Sequence, residues 1–340
     1  MKRIIGLTGL IGLFILILGC RPGADRGEMV EFTVPSGASL SQVADTLVAR
    51  DLVASRTLFR ARARLRGDER NVRAGRYQVP ARIRMGTLMD HLVEGRVVTV
   101  PLTIPEGFTL QQMVPRFAAV TDMLPADIED RLSELDDEER WDIPGPGLEG
   151  YLFPDTYHLA PGLSLESVVA TMVERYRRLW TEDRRARAEE MGWSEREVMA
   201  LASIIQGEAR RVDEMPRISA VFHNRLELGY LLQADPTVQY ALGERRSRLL
   251  YADIDSVADH PYNTYTQRGL PPGPIGAAGE AALDAALHPE DSDYLYFVAR
   301  PDGSHIFTRS LVEHNRARVE ARRQWQAVER ERNQGRDTGA

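Results

Sequence analysis

A glutamate at the end of an apolar helical stripe is the strongest chemical signal in this sequence of 340 residues. Ser194 and Glu197 have the spacing of a capping box, which predicts that a helix begins at Ser194. The residues that follow at helical spacing, and therefore share one face of that helix, are Val198, Leu201, Ile205 and Glu208. We expect the carboxyl group of Glu208 to lie beside apolar neighbours near the C-terminal end of the helix.

This position disfavours the ionised form of the Glu208 side chain for two reasons. Removal from water penalises the charge, and so does the negative end of the helix dipole. A carboxylic acid that stays protonated near neutral pH is the group that can protonate a glycosidic oxygen. Gln206 lies nearly opposite on the same helix and cannot donate such a proton. The alternative is that Glu208 only ends the stripe and points into solvent.

The following helix, predicted at about 214–228, would hold this site from one side. Pro216 fits its first turn, and Gly229 is a natural stop. Its polar residues His223, Asn224 and Arg225 could reach a sugar, although Asn224 and Arg225 are better suited to tying the two helices together.

The first twenty residues have the pattern of an export signal or membrane anchor. Lys2 and Arg3 precede an uncharged, mostly apolar stretch at 4–19, and the sole cysteine, Cys20, follows it. This pattern predicts a lipidated Cys20, a short membrane-spanning anchor or a cleaved signal, and all three place the rest of the chain outside the cytoplasm. A single cysteine excludes a disulfide within the chain and a cysteine-based metal site.

The remaining chain divides into a short linker and two domains of mixed α+β structure. Residues 21–28 read as the linker and 326–340 as a polar tail. Residues 29–100 alternate short strands and helices in a manner that resembles a LysM-like domain. Residues 101–325 predict a larger domain with helices around a small sheet, in which 294–298 is the strongest strand signal and 305–308 its hairpin partner.

Composition and missing motifs exclude several classes of function. The formal net charge is −7 and the charges are mixed along the chain, so no broad basic surface is predicted to bind nucleic acid. The sequence has no HExxH, GxSxG or Walker A motif, and its seven histidines are scattered. We therefore predict neither a metal nor a cofactor.

An ordered set of motifs resembles the YceG-like endolytic murein transglycosylase family. The segments are EGYLFPDTY at 149–157, LASIIQGEA at 201–209, VFHNRL at 221–226, LQADPTVQY at 232–240, YNTY at 262–265, GLPPGPI at 269–275, YLYFV at 294–298 and HN at 314–315. One of these motifs would be weak evidence, whereas the ordered set is specific and spans roughly 30–320.

The resemblance implies an N-terminal anchor in the inner membrane, a LysM-like domain and a catalytic domain that faces the cell wall. It also implies cleavage within glycan strands that leaves 1,6-anhydro-muramyl ends, a role in ending strand elongation, and partnership with peptidoglycan synthases. The catalytic glutamate of the family falls on Glu208. Many members carry a second glutamate where this chain has Gln206, and Cys20 departs from the usual transmembrane anchor.

Several polar and aromatic residues in these motifs are candidate sugar ligands. Tyrosine offers a flat apolar face with a polar tip, and amide or hydroxyl groups can bind sugar hydroxyl or acetamido groups. The predicted substrate-binding residues are Gln233, Asp235, Tyr262, Asn263, Thr264, His223 and Glu149. Asp235 has an alternative role, because Asp235 and Pro236 could simply begin a helix.

Two other functions remain open at the level of sequence. A muramidase-type hydrolase would use the same site but would normally need a second carboxylate, for which Glu149, Asp155 and Asp235 are available. A non-catalytic peptidoglycan-binding scaffold of the wall-synthesis machinery would not need the acid chemistry of Glu208 at all.

Overall fold

The computed structural model describes residues 28–246 and 248–337. They form two compact units divided between Val98 and Thr99, which we call the first unit (28–98) and the second unit (99–337). The predicted anchor or signal at 1–20, including Cys20, lies outside the described residues. Among the helices that are described, none has both the length and the apolarity to cross a membrane.

The first unit is a two-stranded antiparallel sheet with three helices. Ser39 begins the first helix with a capping box to Gln42, and Gly67 ends the second in the left-handed conformation. Phe32 and Tyr77 stack across the two strands, with ring centroids 5.3 Å apart. The elements are β1 (Met29–Val34), α1 (Leu40–Ala49), α2 (Arg56–Arg66), β2 (Gly75–Pro80) and α3 (Met85–Glu94). Register runs from Met29 opposite Pro80 to Val34 opposite Gly75.

The second unit is mostly helical. Its elements are β3 (Val100–Thr103), α4 (Leu110–Thr121), α5 (Pro125–Leu135), α6 (Glu138–Trp141), β4 (Thr156–Leu159), α7 (Leu165–Leu179), α8 (Glu182–Glu190), α9 (Glu195–Glu208), α10 (Met215–Glu227), α11 (Asp235–Leu242), α12 (Tyr251–Ser256), α13 (Glu280–Leu287), β5 (Tyr296–Ala299), β6 (His305–Thr308) and α14 (Leu311–Asp337). A 3-10 turn, Val212–Glu214, precedes α10.

Mixed α+β structure with small sheets and many helices is therefore confirmed, but the single small sheet expected in the second unit is two separate ribbons. β3 pairs with β4 and β5 pairs with β6, each antiparallel. The hairpin of β5 and β6 is the predicted one. The last helix continues through Asp337, so the predicted polar tail is helical from 326 to 337.

The helix α9 lies at the centre of the second unit. Every residue from Val198 to Ile205 is buried, not only those on one face, and α9 packs against α10, α11 and α13. The prediction of a single apolar stripe was therefore too narrow, because the small residues Ala200, Ala202 and Ser203 let neighbouring helices cover the remaining sides. Glu208 ends a helix that is enclosed by protein for most of its length.

Candidate active site

The end of α9 brings Glu208 against the beginning of α11. The predicted capping box is present, with Glu197 N–H donating to Ser194 Oγ at 3.3 Å. At Gly207, an added Cβ would lie 2.8 Å from Pro236, which real Cβ contacts do not allow. Glycine is therefore needed at 207 for α9 and α11 to approach closely enough to place Glu208 beside Asp235.

The surroundings of Glu208 favour its protonated form. Burial raises the pKa of Glu208 to about 8, and the negative charge of Asp235 adds to the rise. The backbone N–H of Asp235 and the charge of Arg225 act in the opposite direction and stabilise the carboxylate. The side chain is only partly exposed, so it can be reached from solvent without being surrounded by it.

Two pockets meet at Glu208. The larger has a volume of about 1090 Å³ and extends towards α4 and the loop before α12, while the smaller has a volume of about 560 Å³ and extends towards α12 and α14. The residues that line both are Glu208, Asp235, Ala299 and His305. A chain-like molecule that occupies both pockets would therefore pass directly over the acid.

Asp235 is held at this junction by Tyr265. Ala234 is the N-cap of α11, and Asp235 is its first helical residue. The Tyr265 hydroxyl donates to Asp235 Oδ1 at 2.5 Å. This contact fixes the carboxylate that raises the pKa of Glu208.

A second carboxyl group with a raised pKa lines the larger pocket. Burial raises the pKa of Glu149 to about 7, although its carboxylate accepts hydrogen bonds from the backbone at the start of α4. The Leu110 N–H lies 3.2 and 3.3 Å from the two carboxylate oxygens. Glu149 therefore accepts from the first N–H of α4 and is, with Glu208, an acid of this pocket whose pKa is raised.

Of the remaining predicted ligands, Gln233 lines the smaller pocket. Its backbone is in the left-handed region, with φ of 50°. Tyr262 packs against Tyr240, with ring centroids 4.9 Å apart, and Tyr240 lines the larger pocket whereas Tyr262 does not. Tyr262 thus contacts a residue of the pocket wall and is itself partly exposed.

The structure places Asn263 and Thr264 in the core, where they support the site and do not face either pocket. Asn263 is fully buried, and its Nδ2 donates to the carbonyls of Ile254 and Val257, both at 3.0 Å. Thr264 Oγ1 accepts from the Ala234 N–H at 3.0 Å. Their polar groups already have protein partners, so they position the loops that carry Tyr265 and Asp235.

His223 also lies away from the pockets. Its Nε2 is 3.0 Å from the Ala286 carbonyl oxygen, and its ring stacks on Trp193. This contact joins α10 to α13. Arg225 connects α10 to neighbouring segments, because its guanidinium donates to the carbonyls of Leu295 and Leu232.

Sequence reasoning missed His305 and Glu214. His305 lines both pockets, and its backbone N–H and ring Nδ1 contact the Glu214 carboxylate at 3.1 and 2.8 Å. The two residues are 91 positions apart, so no local spacing could have paired them. Gln206 Oε1 accepts from the Gly279 N–H at 3.1 Å.

Comparison with known proteins connects this geometry to one family. The model of the YceG-like family matches residues 32–320. An endolytic murein transglycosylase of Bacillus subtilis (strain 168) is 33% identical over 314 residues, which cover 86% of this chain and 85% of the relative. A protein of the same name from Streptococcus pneumoniae (strain R6) is 26% identical, and the match covers 86% of this chain but 58% of that protein.

A solved structure is also similar. The 2.6 Å crystal structure of a YceG-like protein from Listeria monocytogenes matches with a TM-score of 0.59 and 32% sequence identity. The match covers 85% of this chain and 98% of that one.

Proposed function

This chain belongs to the YceG-like family, and from that premise we propose that it is an endolytic murein transglycosylase. In this proposal it cleaves within the glycan strands of peptidoglycan without water and leaves 1,6-anhydro-muramyl ends. The observation that carries the proposal is a glutamic acid, Glu208, whose pKa is raised to about 8 where two pockets meet.

Glu208 begins the reaction as a general acid. Its proton goes to the oxygen that links muramic acid to the next sugar, the bond from that oxygen to C1 breaks, and positive charge develops on the sugar ring. The C6 hydroxyl of the same sugar then attacks C1 and closes the anhydro ring. The proton released by that hydroxyl restores the acid form of Glu208, so one acidic group suffices and the enzyme is regenerated.

The neighbours of Glu208 suit both halves of this cycle. Before the cleavage step, burial and the Asp235 charge keep the carboxyl protonated at neutral pH. After it, the Asp235 N–H and the Arg225 charge stabilise the carboxylate that remains.

Cleavage inside a strand requires room for sugars on both sides of the broken bond. The two pockets that share Glu208 are the places where we propose that these sugars bind. A site for removing only terminal sugars would need one of the two pockets to be closed.

The remaining parts of the chain also have proposed locations and roles. We propose that residues 1–20 anchor the chain to the inner membrane, through a spanning helix or a lipid on Cys20, and that 101–325 act outside the cytoplasm. Residues 29–100 would be a LysM-like domain that binds peptidoglycan. Ending of strand elongation and partnership with synthases follow from the family resemblance and belong to the same proposal.

One observation favours a muramidase-type hydrolase as a second candidate. Glu149 is a second acid in the larger pocket, as a hydrolase would require. A hydrolase leaves reducing ends, whereas the proposed reaction leaves anhydro ends.

Digestion of peptidoglycan by the full chain in detergent, followed by mass spectrometry of the products, tests this proposal. We expect anhydro ends from the unaltered chain and a loss of about 10²- to 10⁴-fold in kcat for Glu208→Gln. Glu149→Gln is the matched control, because it removes the second acid with a raised pKa from the larger pocket. Reducing ends that disappear in Glu149→Gln would instead establish the hydrolase.

Equal activity of Glu208→Gln and the unaltered chain would mean that Glu208 is not the acid. If the substituted chain also fulfilled the cellular role, the protein would be a binding scaffold and not an enzyme.

A further inference from the structure

A buried pair formed by Glu214 and His305 lies outside the reaction described so far. Both carboxylate oxygens of Glu214 are used by His305, one by its backbone N–H at 3.1 Å and the other by its ring Nδ1 at 2.8 Å. The side chains are only 11% and 3% exposed, respectively. Burying a carboxylate and an imidazole is costly, so a pair with both groups enclosed is a candidate for function.

The pair determines which nitrogen of the imidazole can act. A carboxylate can only accept hydrogen bonds, so Nδ1 must carry the proton that faces Glu214. In the neutral ring, Nε2 is then unprotonated and can accept a hydrogen bond or a proton. No described residue occupies Nε2 with a hydrogen bond.

His305 lies where the two pockets meet. His305 begins β6 and is among the four residues that line both pockets, together with Glu208 and Asp235. Because Nδ1 is turned towards Glu214, Nε2 is the ring nitrogen left for the cleft. A sugar bound across Glu208 would therefore have this acceptor beside the ring that is cut.

We propose that His305, oriented by Glu214, is a further catalytic residue that takes the proton of the sugar C6 hydroxyl as that hydroxyl attacks C1. This inference rests on the proposed transglycosylase function. Glu208 gives its proton to the leaving oxygen and the bond from that oxygen to C1 breaks. The bond between O6 and C1 forms while the O6 proton moves to Nε2, and the resulting imidazolium is stabilised by the Glu214 carboxylate.

The cycle closes when the imidazolium returns its proton to the Glu208 carboxylate. No water or other reactant is consumed, and both side chains regain their starting forms. The division of labour also explains how the internal hydroxyl competes with water, because an acceptor fixed by Glu214 aligns the C6 hydroxyl before the bond to C1 breaks.

The first test is His305→Ala in the full chain, assayed on peptidoglycan with analysis of the released ends. We expect kcat to fall by about 10²-fold or more, with little change in KM, and a share of the ends to become reducing because water competes for C1. Imidazole added to the buffer should restore part of the rate and of the anhydro ends. His158→Ala is the matched control, since His158 is exposed on β4 and lines neither pocket, and it should match the unaltered chain.

The second test is Glu214→Gln, which keeps the shape of the pair. If the amide oxygen accepts the His305 backbone N–H, the amide NH2 faces Nδ1 and forces the ring proton onto Nε2. The nitrogen in the cleft then becomes a donor, so we expect a fall in kcat close to that of His305→Ala. Imidazole should not rescue this variant, because the ring still fills the site.

Folded His305→Ala and Glu214→Gln chains that release anhydro ends at the unaltered rate would overturn the role of the pair while leaving the transglycosylase function intact. Failure of the unaltered chain to release anhydro ends would instead overturn the proposed function, and this inference with it.

Discussion

The two units differ in how many charged or titratable side chains they bury. In the first unit, Asp68 is the one buried charged residue among those described, and it pairs with Arg66 at 2.8 Å. The second unit encloses Glu214 and His305 and holds two further acids, Glu149 and Glu208, with pKa values raised to about 7 and 8. Because such burial costs free energy, a concentration of it in one unit marks the unit that carries the chemistry.

The first unit has an apolar core, and its charges lie mostly at the surface. Its core is an apolar cluster separate from the core of the second unit. Its ion pairs are mostly at the surface, such as Arg76 with Glu31. We expect substitutions there to change stability and leave kcat unchanged, and substitutions at the buried acids of the second unit to lower kcat.

The largest expected effect on stability is that of Phe59→Ala. Phe59 is fully buried in the first unit, and its removal should lower the free energy of unfolding of that unit by about 3–5 kcal/mol through lost packing and a cavity. Denaturant unfolding measures the change, and kcat on short soluble glycans should stay the same. Leu58→Ala is the control, since Leu58 is largely exposed. A parallel loss of kcat would show that the second unit depends on the first.

The next effect is a dependence on pH that belongs to the second unit. The pKa of Glu208 is raised to about 8 in the folded chain from 4.5, so the acid is lost above that pH and kcat should fall about tenfold per pH unit. The folded chain also binds the proton more tightly than the unfolded chain. Its free energy of unfolding should therefore decrease as pH rises from 4.5 to about 8, by at most about 1.4 kcal/mol per pH unit.

Rate profiles and thermal unfolding against pH measure both quantities. In Glu208→Gln, the decrease in the free energy of unfolding between pH 4.5 and about 8 should become smaller, because this carboxyl no longer titrates. In Glu149→Gln, the alkaline limb of kcat should stay near pH 8. An alkaline limb that moves in Glu149→Gln would assign the titrating acid to Glu149.

A smaller effect is expected of Asp235→Asn. The Asp235 charge raises the pKa of Glu208, so its removal should lower that pKa and move the alkaline limb of kcat to lower pH. At pH 8 we expect a loss of less than about tenfold that becomes smaller as the pH is lowered. The exposed Asp293→Asn is the control. An unmoved limb would mean that burial alone sets the pKa of Glu208.

The smallest effect should be that of Arg76→Gln in the first unit. Arg76 and Glu31 are both about half exposed and lie 3.0 Å apart, and an exposed ion pair of this kind contributes less than about 1 kcal/mol. Denaturant unfolding should show a change of that size, with no change in kcat. A loss comparable to that of Phe59→Ala would contradict the view that packing, not surface charge, stabilises this unit.

Local signals account for what could be predicted. Ser39, Thr109 and Ser194 each begin a helix with a capping box, which depends on residues within three positions and is therefore visible in the sequence. Helical spacing, which is also local, placed Glu208 at the end of α9. The burial of Asn263 and Thr264 could not be predicted in this way, because whether an amide or hydroxyl faces a pocket or the core depends on elements that are distant in the chain.

By itself, the sequence determined the family, the beginnings of the main helices and the glutamate that ends α9. The tertiary structure alone decided that α9 is enclosed on all sides, that Asp235 stands beside Glu208, and that Glu214 reaches His305 across 91 residues. The physical reason is the distance along the chain over which each interaction acts. Caps and helical faces arise from neighbours within one or two turns, whereas burial, a raised pKa and a buried pair require segments that meet only when the whole unit has folded.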